Sequence, residues 1–315
     1  MKKSEKKELL KSPYPYFGGK SLIAEKVWRR FGSVGNYVEP FFGSGAVLLA
    51  RPEPRGTETI NDMDGFIINF WRAIKHDPEQ VIFWADYPES EADLRARHGW
   101  LANRKDRLLW SLEDPDSYDP KIAGWWVWGI NQWFGCGFCS GKGPYISNGV
   151  HIMKKTKDNM GDGFRFPLIR ARGGGIHRKG LRNRLSEYVF ALSERLRHVR
   201  ICCGDWTRVL KPGITTKLGL TAVFLDPPYD PRIGRCANIY NYETDVSTLV
   251  RNWAIENGEN PQFRIALCGY EGEHKMPDTW KCFAWKAMGG FANMRKNGKN
   301  ENRFRERIWF SPYCL

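Results

Sequence analysis

Apolar positions along the chain recur at two spacings, and the changes between them mark the predicted elements. Leu22, Ile23, Val27 and Phe31 fall at helical spacing over 21–31. Residues 36–40 read as a short strand running into a glycine-rich turn, Phe42-Gly43-Ser44-Gly45, after which a helix starts at 46–50. A second short strand over 57–60 ends at Asn61-Asp62, and Ile67, Ile68, Trp71 and Ile74 then share one helix face. Asp77-Pro78 supplies an N-cap with proline at the first helical position, and Ser90 to Asp93 has the form of a capping box with a shorter acid. An amphipathic helix over 181–199 carries Leu185, Tyr188, Val189, Leu192 and Leu196. Two continuous apolar strands follow, at 199–203 and 221–225, each closed by an acid, Asp205 and Asp226. A helix at 244–257 and a buried strand at 263–268 come next. The alternating runs 281–286 and 304–310 predict an antiparallel pair.

Short apolar strands alternating with helices predict an α/β fold with a mostly parallel, doubly wound sheet. Residues 76–184 break that rhythm. Their stretch 122–138 holds Trp125, Trp126, Trp128 and Trp133, with Ala123, Trp126, Ile130 and Trp133 on one helix face, a pattern expected of core. A basic segment follows it. The expected organisation is therefore a sheet domain formed by 1–75 and 185–315, with 76–184 as a helical insertion that becomes a second domain.

Charge sharpens this picture. The chain of 315 residues has a formal net charge of +14 and a sequence pI near 9.4, which favours a polyanionic partner, nucleic acid before membrane. The excess sits in three places: +3 over 1–11, +8 over 151–184 and +4 over 295–307. The first reads as a solvated tail. The second interleaves Phe164, Phe166, Pro167 and Gly173-Gly174-Gly175 with Arg165, Arg170, Arg172, Arg178 and Lys179. Such a segment can follow a phosphate backbone and pair bidentately with guanine. No apolar run approaches the roughly 18–20 residues that span a bilayer. The lysine-rich start lacks an apolar segment of the secretory kind, so a cytoplasmic protein with no membrane partner is expected. Eight cysteines do not form a disulfide framework. Cys136 and Cys139 make one CxxC without a second pair, and no metal is expected. Cys202 and Cys203 read as buried thiols.

Three signals carry chemistry. Glu39-Pro40-Phe41-Phe42-Gly43-Ser44-Gly45 lies between a strand and a helix, where glycines let the backbone approach a nucleotide-like ligand. Asp62 ends the next strand, a position from which an acid can bind ribose hydroxyls or cap the helix that follows. Asp226-Pro227-Pro228-Tyr229 follows the buried strand 221–225. Its two prolines cannot continue a ladder and fix a stiff turn where open α/β sheets place ligands.

Asp226-Pro-Pro-Tyr229 resembles the catalytic motif of amino-group methyltransferases that use S-adenosylmethionine. Tyr16-Phe17-Gly18-Gly19-Lys20 resembles the N-terminal motif of Dam-type DNA adenine methyltransferases (the D12 class), with Phe17 departing from the small residue usual there. Glu39 to Gly45 with Val47 is similar to that family's cofactor loop, Asn61-Asp62 to its second cofactor motif, and Cys203-Gly204-Asp205-Trp206 to its Gly-Asp-aromatic motif. Gly289-Gly290-Phe291 and the basic stretch after it are similar to a loop near the family's C-terminus. Arg307 to Pro312 reads like phage-encoded members. The motif order matches the α group.

The resemblance implies a Rossmann-like, S-adenosylmethionine-dependent sheet with a basic target-recognition insertion. It implies transfer to adenine N6 in double-stranded DNA after base flipping, by a monomer or weak dimer, with or without a partner restriction enzyme. Asp226 and the Pro227 carbonyl would engage the target amine, and Tyr229 would stack on the base. Asp62 would hold the cofactor ribose and Asp205 the cofactor adenine, with Trp206 beside its ring. Tyr16 and Lys20 would sit near the methionine end. Methylation of cytosine N4, methylation of RNA adenine, and an inactive DNA-binding protein on the same fold stand as alternatives.

Overall fold

A computed structural model of the protein describes residues 10–16, 18–54, 56–114, 116–133, 138–139, 176, 184–229, 246–287 and 304–315, together with the backbone of two short paired strands at 145–147 and 152–154. The central feature is a seven-stranded sheet. Its strands are β1 Asn36–Glu39, β2 Thr57–Asp62, β5 Val199–Cys203, β6 Thr221–Leu225, β7 Phe263–Tyr270, β8 Lys281–Ala284 and β9 Glu306–Phe310, in the order β5-β2-β1-β6-β7-β9-β8. The first five in that order are mutually parallel; β9 runs antiparallel to both β7 and β8. Every residue of β1 and β6 is buried, as befits parallel strands covered on both faces. The predicted strands over 199–203 and 221–225 have the observed bounds, and the alternating C-terminal runs do form the antiparallel pair.

The chain leaves β1 toward β2 on one side, and later fills β6 on the other. The order therefore reverses between β1 and β6, and a crevice opens at their C-terminal ends. Both the glycine-rich turn and the Asp-Pro-Pro-Tyr turn emerge there.

Helices cover the sheet: α1 Ala24–Phe31, α2 Ala46–Leu49, α3 Gly65–His76, α8 Leu185–Leu196 and α9 Val246–Gly258. Nearly all of α3 is buried, and it packs against α8 and against α7 Pro120–Gln132. Between them lie α4 Pro78–Ala85, α5 Glu91–Ala102 and α6 Lys105–Ser111. Asp77 caps α4, accepting from the Gln80 N–H at 3.4 Å, and Ser90 caps α5, accepting from the Asp93 N–H at 3.2 Å. Gly124 lets α7 meet α4 closely, because a Cβ there would come within 2.4 Å of the Trp84 Cβ. Trp126, Trp128 and Leu101 of these helices share a core with Phe70, Trp71 and Tyr14. The pair of strands β3 Tyr145–Ser147 and β4 Ile152–Lys154 is antiparallel and had no counterpart in the sequence pattern.

Three expectations change. Helix α7 stops at Gln132, so Trp133 leaves the helix face with extended backbone and stacks on His98 at 4.5 Å. The helix expected over 181–199 spans only Leu185–Leu196 among the described residues, because Val199 already pairs with Glu58 as the start of β5. Cys202 and Cys203 are half-buried thiols rather than buried ones, since β5 is the edge strand of the sheet. At the other end of the parallel strands Glu58 is buried between Arg51, at 3.0 Å, and Arg195, at 2.6 Å, which ties α8 to β2. No described helix is long and apolar enough to cross a membrane.

Candidate active site

The crevice holds a cleft between the turn after β1 and the turn after β6. Of the residues singled out in the sequence, Tyr16, Gly18, Gly19, Lys20, Glu39, Phe41, Gly43, Asp62, Asp226 and Pro228 line it. Pro40 and Gly45 belong to the same loop without lining the cleft. Phe42, Ser44, Ala46, Val47 and Phe224 complete the wall.

The loop after β1 is shaped by two glycines with positive φ, +48° at Gly43 and +69° at Gly45. A Cβ on Gly43 would also lie 2.8 Å from the Tyr16 ring. The Gly43 carbonyl accepts from the Tyr14 hydroxyl at 2.7 Å and from the Trp71 indole N–H at 3.1 Å, so two buried aromatics anchor the loop from below. The Gly43 N–H donates to Asp62 at 2.9 Å, and the Asp64 N–H donates to the other Asp62 oxygen at 3.0 Å. Burial pushes the Asp62 carboxyl up to about 7 against these hydrogen bonds. Asn61 stitches the strand ends together, its amide donating to Pro40 O at 3.1 Å and to Gly204 O at 2.9 Å. The Asn61 side-chain oxygen is buried without a partner. Glu39 is buried and accepts from the Tyr37 hydroxyl at 2.8 Å; burial raises its pKa.

Asp205 and Trp206 stand beside this cleft rather than in its wall. Asp205 is exposed and caps the 3₁₀ turn Trp206–Leu210, accepting from the Thr207 N–H at 3.0 Å. Trp206 is buried, with its ring 6.2 Å from that of Phe41.

At the opposite wall Lys20 is buried, 3% exposed, and forms an ion pair with Asp226 at 2.8 Å. Its ammonium also donates to Gly18 O at 2.7 Å. It lies over the Tyr229 ring at 5.3 Å and near the Trp285 ring at 5.8 Å. Burial opposes the Lys20 charge, but Asp226 and Glu306 hold its pKa above the ordinary value. Burial raises the Asp226 carboxyl, an effect that Lys20 opposes. Tyr229 is 6% exposed and its hydroxyl donates to Glu306 at 2.9 Å. Sequence reasoning missed Glu306, Tyr270 and Trp285. The one signal was an acid heading the alternating strand Glu306–Phe310.

S-adenosylmethionine fits this donor set. Three carboxylates (Glu39, Asp62 and Asp226) together with aromatic walls suit a sulfonium cation and ribose hydroxyls. Among the described residues no cluster could hold a metal ion. Arg165, Arg170, Arg172, Arg178 and Lys179 lie outside the described residues, as does Cys136 of the CxxC pair.

Fold and cleft thus define a doubly wound α/β protein with a ligand site at its topological switch point. Residues 16–117 match the family model of the D12 class N6 adenine-specific DNA methyltransferases, and the activity is methyl transfer from S-adenosylmethionine to adenine N6 in DNA. The matched stretch contains the cofactor loop and Asp62, continues through α4, α5 and α6, and ends before the Asp226 turn. No curated protein matches the chain.

Proposed function

We propose that the turn from Asp226 to Tyr229 is the transfer site, acting on an adenine flipped out of double-stranded DNA within a specific sequence. The observation that carries this reading is the position of the Lys20 ammonium. It holds a nitrogen 2.8 Å from Asp226 and over the face of Tyr229, where a target amine and its ring would go. The exocyclic amine of adenine is a poor nucleophile, because its lone pair is delocalised into the ring. The Asp226 carboxylate and the Pro227 carbonyl can each accept one of its hydrogens, which draws the nitrogen toward tetrahedral geometry. When bound, S-adenosylmethionine supplies an electrophilic methyl on its sulfonium. Asp226 then faces the positive charge that develops on nitrogen. Lys20 must withdraw first, and the Gly18 carbonyl stays within its reach. The methylated nitrogen releases its proton to Asp226, whose burial favours taking it up. Flipping costs a few kcal/mol, and stacking on Tyr229 returns roughly 1–3 kcal/mol.

On the cofactor side Asp62 holds the ribose, and Asp205 with Trp206 takes the adenine. Tyr16 and Lys20 close the methionine end. A carboxylate accepts from hydroxyls best when ionised, and burial pushes Asp62 up to about 7. Affinity for S-adenosylmethionine therefore rises between about pH 5.5 and 7.5, and Asp62→Asn flattens that rise while weakening binding. Calorimetry across the range checks this; a flat wild-type profile would count against Asp62 as the ribose ligand.

Residues 76–184 serve target recognition in this reading, through Arg165, Arg170, Arg172, Arg178 and Lys179. An alanine that removes a phosphate-binding side chain should flatten the log–log salt dependence of DNA binding by about 0.9. An alanine that removes a base-reading side chain should instead relax sequence choice at one position. If all five variants keep both slope and specificity, recognition lies elsewhere, with the loop over 289–303 the next place to look. The likeness of the run from Arg307 to Pro312 to the endings of phage-encoded members supports a phage-type enzyme. Mapping modified bases across a genome exposed to the enzyme tests the reading as a whole. One recurrent sequence context is expected, and scattered modification would refute site specificity.

A further inference from the structure

We propose that Glu306 is a positioning residue of the transfer pocket: its carboxylate grips the Tyr229 hydroxyl and fixes the ring face on which the target base stacks. The proposal rests on the reading of Asp226 to Tyr229 as the transfer site.

Because β9 runs antiparallel to β7, its first residue lies opposite Tyr270, at the same sheet edge as Asp226. The backbone of Glu306 is held there, its carbonyl accepting from the Trp285 N–H at 3.2 Å. The residue is 4% exposed, and its carboxylate accepts from Tyr229 at 2.9 Å. Tyr270 packs edge-on against the same ring, with centroids 4.7 Å apart and planes at 72°. Tyr229 is thus fixed at its backbone by Pro228, along one edge by Tyr270 and at its hydroxyl by Glu306. Lys20 lies over the ring, 5.3 Å from its centroid.

Burying a carboxylate is unfavourable unless hydrogen bonds and opposite charge compensate it. Here the phenol and the Lys20 ammonium provide both. A ring that only had to stack would need neither the hydroxyl nor a buried acid beneath it. The pairing instead specifies the ring plane, and a stacked base reports on that plane directly.

The test is a double-mutant cycle of Glu306→Leu and Tyr229→Phe. Single-turnover transfer of labelled methyl to PCR-amplified DNA is the rate readout, and calorimetry gives S-adenosylmethionine affinity. In the wild-type background Glu306→Leu should slow transfer by about tenfold, the scale of one hydrogen bond to a charged group. Cofactor affinity should stay within about twofold, and in Tyr229→Phe the same change should cost less than about twofold, the signature of an effect routed through the hydroxyl. Glu306→Gln, which keeps an acceptor, should restore most of the rate. Should Glu306→Leu not fold, Glu306→Gln in the two backgrounds is compared in the same way, with a small loss in the first and none in the second. Equal losses in both backgrounds, or no loss in the first, would overturn the proposal. Asp226→Ala is run alongside. If it stays active the transfer site itself is misassigned; if it is dead while the cycle shows no coupling, only the role of Glu306 fails.

Discussion

Asp226→Ala should slow methyl transfer by about 10²–10³-fold, the usual effect of removing one preorganised group from the point where charge develops. S-adenosylmethionine affinity should stay within about an order of magnitude, because Asp226 acts on the target amine. The substitution also strips Lys20 of its ion-pair partner, and a buried ammonium without one costs stability. Asp226→Asn separates the two effects: it keeps the volume and one acceptor oxygen near Lys20 but removes the charge that faces the amine. Both variants should be nearly inactive, with Asn the more stable. More than about a tenth of the wild-type rate in the alanine variant would remove Asp226 from its assigned role.

Trp71→Ala should be the most damaging single change to stability among the residues around the site. Its side chain is fully buried, packs against Phe42 and Phe70 at 5.1 Å each, and donates to the Gly43 carbonyl. Truncating a buried tryptophan costs about 3–5 kcal/mol. Trp71→Phe keeps most of the packing and loses the N–H, so it should cost less in urea unfolding. It should still weaken S-adenosylmethionine binding, because Gly43 then relies on Tyr14 alone. A loss under about 1 kcal/mol in Trp71→Ala would mean that the loop is not anchored from this side.

What the sequence discloses follows from how local each signal is. The strand at 221–225 was legible because an unbroken apolar run ends in an acid and two prolines. The site loop was legible because glycines stand where the backbone needs positive φ. The anchoring of that loop was not, since Tyr14 and Trp71 reach Gly43 from 29 and 28 positions away and read only as core. The pairing of Lys20 with Asp226 joins distant parts of the chain, and only the strand order brings them together. Glu306 was missed because an acid in an alternating strand reads as facing solvent, whereas here its neighbours Tyr229 and Lys20 make burial tolerable. The edge position of β5, and with it the exposure of Cys202 and Cys203, depends on sheet order, which periodicity does not report.

The most direct test of the central claim is the chemical identity of the product. PCR-amplified DNA carries no modified bases. It would be incubated with the enzyme and isotopically labelled S-adenosylmethionine, digested to nucleosides and resolved by mass spectrometry. The expected result is labelled N6-methyldeoxyadenosine with wild-type protein and almost none with Asp226→Ala. Label in N4-methyldeoxycytidine, or undiminished N6-methyldeoxyadenosine with Asp226→Ala, would contradict an adenine-specific transfer site at the Asp226 turn.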